Sequence, residues 1–315
     1  MTSNIIRKKS NKIVKVKLKD YTKISRPADL IINIIMIICT ISCILPLVLV
    51  LAVSLTDNKT ISLYGYKLIP LKFSLAAYKY VLTDYAVILR AYALTIFVTI
   101  IGSLISLSIT ALYAYPLSRK DFKYRKFFTF AVFFTMLFNG GLVPWYMVYT
   151  NLLHINDKIF ALIVPGLITP LYVLIMRTFF ETTIPNEIIE AARIDGAGEL
   201  QTFSKIVLPL AKPSLATIAL FNVLYYWNDW YSPLLFITNE KLFNLQYLMY
   251  RVEQNIIYLS SNASAINDPG KIMANIPSQT ARMAMAIIAI GPIIFAYPFF
   301  QRYFVEGLTI GSVKG

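Results

Sequence analysis

Residues 190–209 read EAARIDGAGELQTFSKIVLP, from Glu190 to Pro209. This polar island sits between two apolar blocks, and its placement decides how the chain is organised. Pro185, just upstream, suits a first helical turn, where its missing N–H is unpaired anyway. Glu187, Glu190, Ala191 and Ala192 favour helix, and the acids lie towards its positive N-terminal end. Asp195-Gly196-Ala197-Gly198 predicts a stop, because glycine tolerates the left-handed turn that follows a helix C-terminus. Leu200, Phe203, Ile206 and Val207 then give an apolar stripe at helical spacing, which Pro209 ends. On physics alone two readings stay open: a docking surface for a partner, or an ordinary connector at the membrane interface.

The composition settles the surroundings. The chain is 57% hydrophobic and 15% charged, with mean hydropathy +0.62. Apolar residues run in blocks of about twenty, the length that crosses a bilayer core as helix. The expected class is an all-α polytopic membrane protein with six transmembrane helices. They fall at about 30–55, 91–117, 127–149, 160–180, 213–236 and 281–300. A short amphipathic helix is expected within 73–85. Cys39 and Cys43 lie on one face of the first block and read as packing residues. His154 is the one histidine, which argues against a histidine-based metal site.

The net charge of +14 suggests a nucleic-acid partner until its distribution is followed. Residues 1–29 carry nine Lys and Arg, and the 118–126 loop carries Arg119, Lys120, Lys123, Arg125 and Lys126. Six crossings put both segments on one side, and positive loops mark that side as cytoplasmic. The excess charge is therefore topological, and nucleic acid is not expected. Three segments follow: a basic cytoplasmic tail (1–29), a membrane domain (30–301) with a cytoplasmic loop at 181–212, and a cytoplasmic tail (302–315). Five crossings, with the broken third block not spanning, would put the two termini on opposite sides.

No motif for bond chemistry appears. The glycines never form G-x-x-x-x-G-K-[ST], so no nucleotide site is expected, and no zinc spacing or catalytic triad is present. In the fifth block Asn222, Tyr225, Tyr226 and Asp229 fall at i, i+3, i+4 and i+7, one helical face. Trp227 and Trp230 flank Asp229. One reading is a sugar-facing lining, with rings covering apolar sugar faces and amide and carboxylate bonding hydroxyls. The other is an interfacial aromatic belt with a snorkelling acid. In the third block Asn139-Gly140-Gly141, Pro144 and Trp145 interrupt the helix, either lining a cavity or making a turn.

The island resembles the cytoplasmic signature of ABC importer permeases. That signature is E-A-A, three residues, G, nine residues, then I-x-L-P. Here it falls on Glu190, Ala191, Ala192, Gly196, Ile206, Leu208 and Pro209, with Asp195 inside it. Ile184-Pro185, Ile194-Asp195-Gly196-Ala197 and Pro213 are similar to the carbohydrate-uptake branch. So is the C-terminus, from Tyr297-Pro298-Phe299 to Gly311-Ser312-Val313-Lys314-Gly315, which is maltose-permease-like. The segment 138–144, FNGGLVP, resembles a subgroup linked to oligosaccharides from complex polysaccharides. The resemblance covers nearly the whole chain from the first span onward.

It implies a type I importer permease fold in a bacterial cell membrane, working as a heterodimer with a second permease subunit. Two ATP-binding subunits would use ATP and Mg at the cytoplasmic face, and an extracytoplasmic solute-binding protein would deliver the solute. This chain would bind no cofactor and catalyse no reaction. Glu190, Ala191, Ala192, Asp195 and Gly196 would seat in the ATPase, with Ile206, Leu208 and Pro209 completing the loop. A sugar or oligosaccharide, an acidic one included, is the expected solute. The alternatives are a non-sugar solute, or a secondary transporter, which would need ion-coupling acids and a repeat of its own.

Overall fold

The computed structural model describes residues 26–261, 279–294 and 298. Residues 1–25 of the basic tail and the 302–315 tail lie outside them. Two units divide the chain at Val50 and Leu51. The first holds most of α1 (Arg26–Ser54), whose segment Pro27–Ser54 has mean hydropathy 3.0 over 28 residues, ample for a crossing.

The second unit begins with two short helices, α2 (Asn58–Tyr64) and α3 (Ala76–Val81), the latter within the expected 73–85 segment. Its backbone is α4 (Tyr85–Ser118), 34 residues long. At 1.5 Å per residue this helix extends about 51 Å, beyond a bilayer core on its own. Its buried face is small and hydroxylic: Thr95, Thr99, Gly102, Ser103, Ser106, Thr110, Ala111 and Ala114. Small side chains let a neighbouring helix approach closely where no hydrophobic force drives helices together.

After α4 the crossings are bent. Helices α5 (Arg125–Leu137) and α6 (Leu142–Met147) are followed by a wide turn at Val148–Leu152, and the chain bends by 117° between them. Thirteen residues of α5 reach only about 20 Å. The interruption expected at Asn139–Gly141 is thus a reversal within the third block. Gly141 has φ +85°, and its N–H donates to the Asn139 side chain at 2.9 Å. Helices α7 (Phe160–Ile163) and α8 (Pro170–Thr183) meet at 50° across Val164–Gly166. There Pro165 and Pro170 remove backbone donors.

The polar island follows as α9 (Asn186–Ile194), α10 (Glu199–Thr202), a π-turn at Phe203–Val207 and α11 (Leu208–Leu210). The chain then bends by 82° into α12 (Lys212–Trp227). Next come α13 (Tyr231–Phe236), α14 (Leu245–Ser261) and α15 (Gln279–Ile294). Among the described residues two helices are long enough to cross alone, and counting each bent pair as one crossing gives up to five. Helix α15 is apolar too, and shorter.

Two clusters of buried side chains mark opposite ends of α4. At its C-terminal end Ala114, Tyr115 and Leu117 pack with Val173, Met176 and Phe180 of α8, and with Ile189, Phe203 and Val207 of the island. At its N-terminal end Ile88 and Ala91 pack with Trp227, Leu245, Met249 and Met285. Helix α12 joins the same two regions, about 24 Å apart along its 16 residues.

Candidate functional site

The island folds as its sequence predicts at one end and departs from it at the other. Helix α9 starts after Pro185 and buries Ile189 and Ala192 against the rest of the unit. Glu190, Ala191 and Asp195 point to the exposed side. The helix closes in a Schellman motif: the Ala197 N–H donates to the Ala192 carbonyl at 2.9 Å and the Gly196 N–H to the Arg193 carbonyl at 3.0 Å. Gly196 sits at φ +80°, and a Cβ there would meet nothing within 4 Å. The glycine is therefore demanded by its backbone angle.

The second half is not one helix ended by Pro209. A π-turn spans Phe203–Val207, and Pro209 lies within the short α11 behind it. Proline lacks a donor and crowds the preceding turn, and a π-turn is a common way to absorb that mismatch. The wide turn shifts the buried face. Thr202, Phe203 and Val207 are buried, Ile206 and Leu208 are half-buried, and Leu200 is 76% exposed. Ile194 is 86% exposed beside it. A cavity of about 450 Å³ is lined by Ile188, Ala191, Asp195, Gly196, Gln201 and Ile206, and Leu200 lines another with Tyr115, Asp121 and Arg193.

A polar network ties this surface to the loop before α5. The Arg193 guanidinium lies 2.7 Å from Asp121 and 2.6 Å from Glu199. Glu199 accepts from the Tyr115 hydroxyl at 2.9 Å, and Arg119 forks onto both Asp121 oxygens at 3.1 Å. Arg119 and Arg193 hold the Asp121 carboxyl well below the usual carboxylate range. Arg193 lowers Glu199 likewise, and its own pKa is pushed up by the two acids. The carboxylates and guanidiniums of the network thus stay charged at neutral pH.

The four residues expected on one face of the fifth block part company, because the helix ends at Trp227. Asn222 is buried on α12. Tyr226 is core: its hydroxyl donates to the Ile163 carbonyl at 2.9 Å. Its ring fills the space left by two glycines; a Cβ on Gly102 would stand 2.6 Å from it, one on Gly166 3.0 Å. Tyr225 is exposed, although a Cβ on Gly166 would come within 2.3 Å of its ring. Asp229 lies past the helix and accepts from the Tyr231 and Ser232 N–H groups at 3.1 and 2.9 Å, an Asx-type start to α13. Asn139 makes its turn, and Trp145 packs edge-on to Tyr149 and against Phe236, both at 5.1 Å between ring centres.

A different cleft collects sugar-compatible groups. Trp230 stacks on Tyr250 at 4.7 Å, and with Gln246, Glu253, Arg282 and Met285 they line about 320 Å³. The Nε of Arg282 is buried without a hydrogen-bond partner among the described residues. Tyr250, Gln246 and Arg282 come from α14 and α15, whose packing no spacing within one block reveals. Arg251, another base on this side, pairs with Glu240 at 3.2 Å and sits over the Phe243 ring. Among the described residues no group of three or more His, Cys, Asp or Glu is placed to hold a metal ion.

A family model described as "Binding-protein-dependent transport system inner membrane component" matches residues 119–310. This chain belongs to that family. The matched region contains the island, the Arg119, Asp121, Arg193 and Glu199 members of its polar network, and the Trp230–Arg282 cleft of the permease. The permease is 36% identical over 291 residues to the polygalacturonan/rhamnogalacturonan transport system permease protein YtcP of Bacillus subtilis (strain 168). That match covers 92% of this chain and 99% of YtcP. It is 37% identical over 272 residues to protein LplC of the same organism, covering 86% of this chain and 90% of LplC. Among solved structures it resembles a chain of a bacterial ABC transporter involved in the import of the acidic polysaccharide alginate. There the TM-score is 0.71 at 28% identity, over 90% of this chain and 99% of the other. The ABC importer permease family expected from the motif is the family the chain has.

Proposed function

We propose that the permease forms half of the translocation pathway of a sugar importer whose solute is an acidic oligosaccharide. In this reading a second permease subunit supplies the other half, and an extracytoplasmic binding protein delivers the solute. Two ATP-binding subunits sit at the cytoplasmic face, one of them docking on the α9 surface, and use ATP and Mg that this chain does not bind. Both termini face the cytoplasm, with the island.

The observation that carries the docking is the exposed outer surface of the island. Glu190, Ala191, Ile194 and Leu200 face outward beside a cavity, while Ile189, Phe203 and Val207 anchor the other side in the α4–α8 core. A surface that exposes two large aliphatic side chains while rigidly seated fits a protein partner better than it fits water. Movement of α9 would pass through that core to α4 and α12, and so to the Trp230–Arg282 cleft.

Two similar proteins named for acidic polysaccharides support the solute class. So does Arg282, a guanidinium with an unmet donor next to stacked aromatic rings. The test is uptake by the reconstituted four-component importer, offered trigalacturonate or neutral maltotriose. Trigalacturonate should be taken up and should stimulate ATP hydrolysis; stimulation by maltotriose alone would overturn the acidic assignment.

A further inference from the structure

A further cavity, of about 770 Å³, lies where α5 begins and α8 ends, and nothing in the coupling account uses it. Lys120, Lys123, Arg125, Lys126 and Arg177 line it, together with Thr129 and the rings of Phe122, Phe130 and Phe133. One acid answers these five cations: Glu181 takes Arg125 at 2.8 Å and Arg177 at 3.0 Å. Lys120, Lys123 and Lys126 have no ion pair among the described residues. The Thr129 hydroxyl likewise has no hydrogen-bond partner there.

The apolar side is equally one-sided. Phe127, Phe130, Phe133 and Phe134 of α5 are all exposed, so aromatic surface continues from the cationic cavity along the helix. Charge gathered at one end and rings running away from it match a phospholipid: phosphate at the lysines, acyl chains along the phenylalanines. Solvated surface lysines alone would account for the charge, but not for its concave grouping or for the phenylalanine wall beneath it. Basic pockets beside membrane helices are suited to anionic headgroups, each lysine adding attraction near the surface.

We infer that this cavity binds the phosphodiester headgroup of an anionic phospholipid from the leaflet at the coupling-loop end. Arg125 and Arg177, held by Glu181, shape the site. Lys120, Lys123 and Lys126 supply its charge. Its cations are not those of the Arg193 network, although Phe122 lines both this cavity and the one beside Arg193.

The test uses the assembled importer in vesicles of equal parts phosphatidylglycerol and phosphatidylcholine, released for native mass spectrometry. The wild type should retain phosphatidylglycerol selectively. Lys120→Gln/Lys123→Gln/Lys126→Gln should lower that retention by roughly fivefold per lysine removed. The corresponding triple Arg variant should keep it, which separates charge from misfolding. Unchanged retention in the Gln variant would overturn the site. Displacement of the lipid by inorganic phosphate would reassign it to a soluble anion. Loss of the ATP-binding subunits from the Gln variant, with lipid unchanged, would assign it to a protein partner. Either result overturns the lipid reading.

Discussion

Arg193, in the last turn of α9, lies 2.7 Å from Asp121, on the loop that leaves α4. The two are far apart in sequence, and their contact closes a path from the island back to the long helix. Arg193 also holds Glu199, so one guanidinium spans the Gly196 turn and the preceding loop. Both pairs are partly exposed, and such pairs add little to global stability. What they fix is where α9 sits against the loop that leaves α4.

Arg193→Ala should therefore change the melting temperature little, a cost below about 1 kcal/mol, whereas Asp121→Ala should cost more because it also strips the buried Arg119 guanidinium of its partner. Each should still lower the uptake achieved per ATP hydrolysed. The double variant should fall no further than the worse single, because both remove the same link. Additive losses would show that the residues act separately.

The network should not respond to pH near neutrality. The folded-state values of Asp121 and Glu199 lie below their ordinary ones. Their contribution is therefore fully present above the ordinary carboxylate range of about 4, and is lost as pH falls through the lowered values. Uptake per ATP should differ between wild type and Arg193→Ala by a constant factor from about pH 6 to 8. A ratio that drifts across that window would mean another group titrates there.

Gly196→Ala should destabilise the helix end by about 1 kcal/mol, since φ +80° suits glycine and nothing crowds the site. Gly196→Asn should cost less, because asparagine tolerates that region. Hydrogen exchange of the Ala197 amide, which closes the Schellman motif, would rank the variants; equal exchange in all three would argue against a backbone origin.

Tyr226→Phe separates core from pathway. It should cost about 0.5–1.5 kcal/mol by orphaning the Ile163 carbonyl. The KM for solute uptake should stay unchanged. Trp230→Ala and Arg282→Gln should instead raise that KM with little effect on melting. A raised KM for Tyr226→Phe would return the ring to the pathway.

Much of this was legible in sequence where chemistry is local. Gly196 announced the turn because few residues tolerate its backbone angle, and apolar blocks announced a helical membrane chain, though not how many times it crosses. Pro209 was read as a stop because a π-turn has no residue signature of its own; the proline was accommodated instead. Asn222 to Asp229 looked like one face because helical periodicity does not say where a helix ends. Trp227 ends this one, and Asp229 spends its carboxylate on the α13 backbone. The Asp121–Arg193 contact and the Trp230–Arg282 cleft depend on packing between distant segments, which periodicity within one segment does not report.

The most direct test of the central claim is the coupling ratio of the reconstituted importer carrying Glu190→Lys with Gly196→Pro. Solute-stimulated ATP hydrolysis and uptake should both fall to background, while the chain stays in the membrane with its permease partner. Unaltered stimulation in that variant would contradict docking through α9.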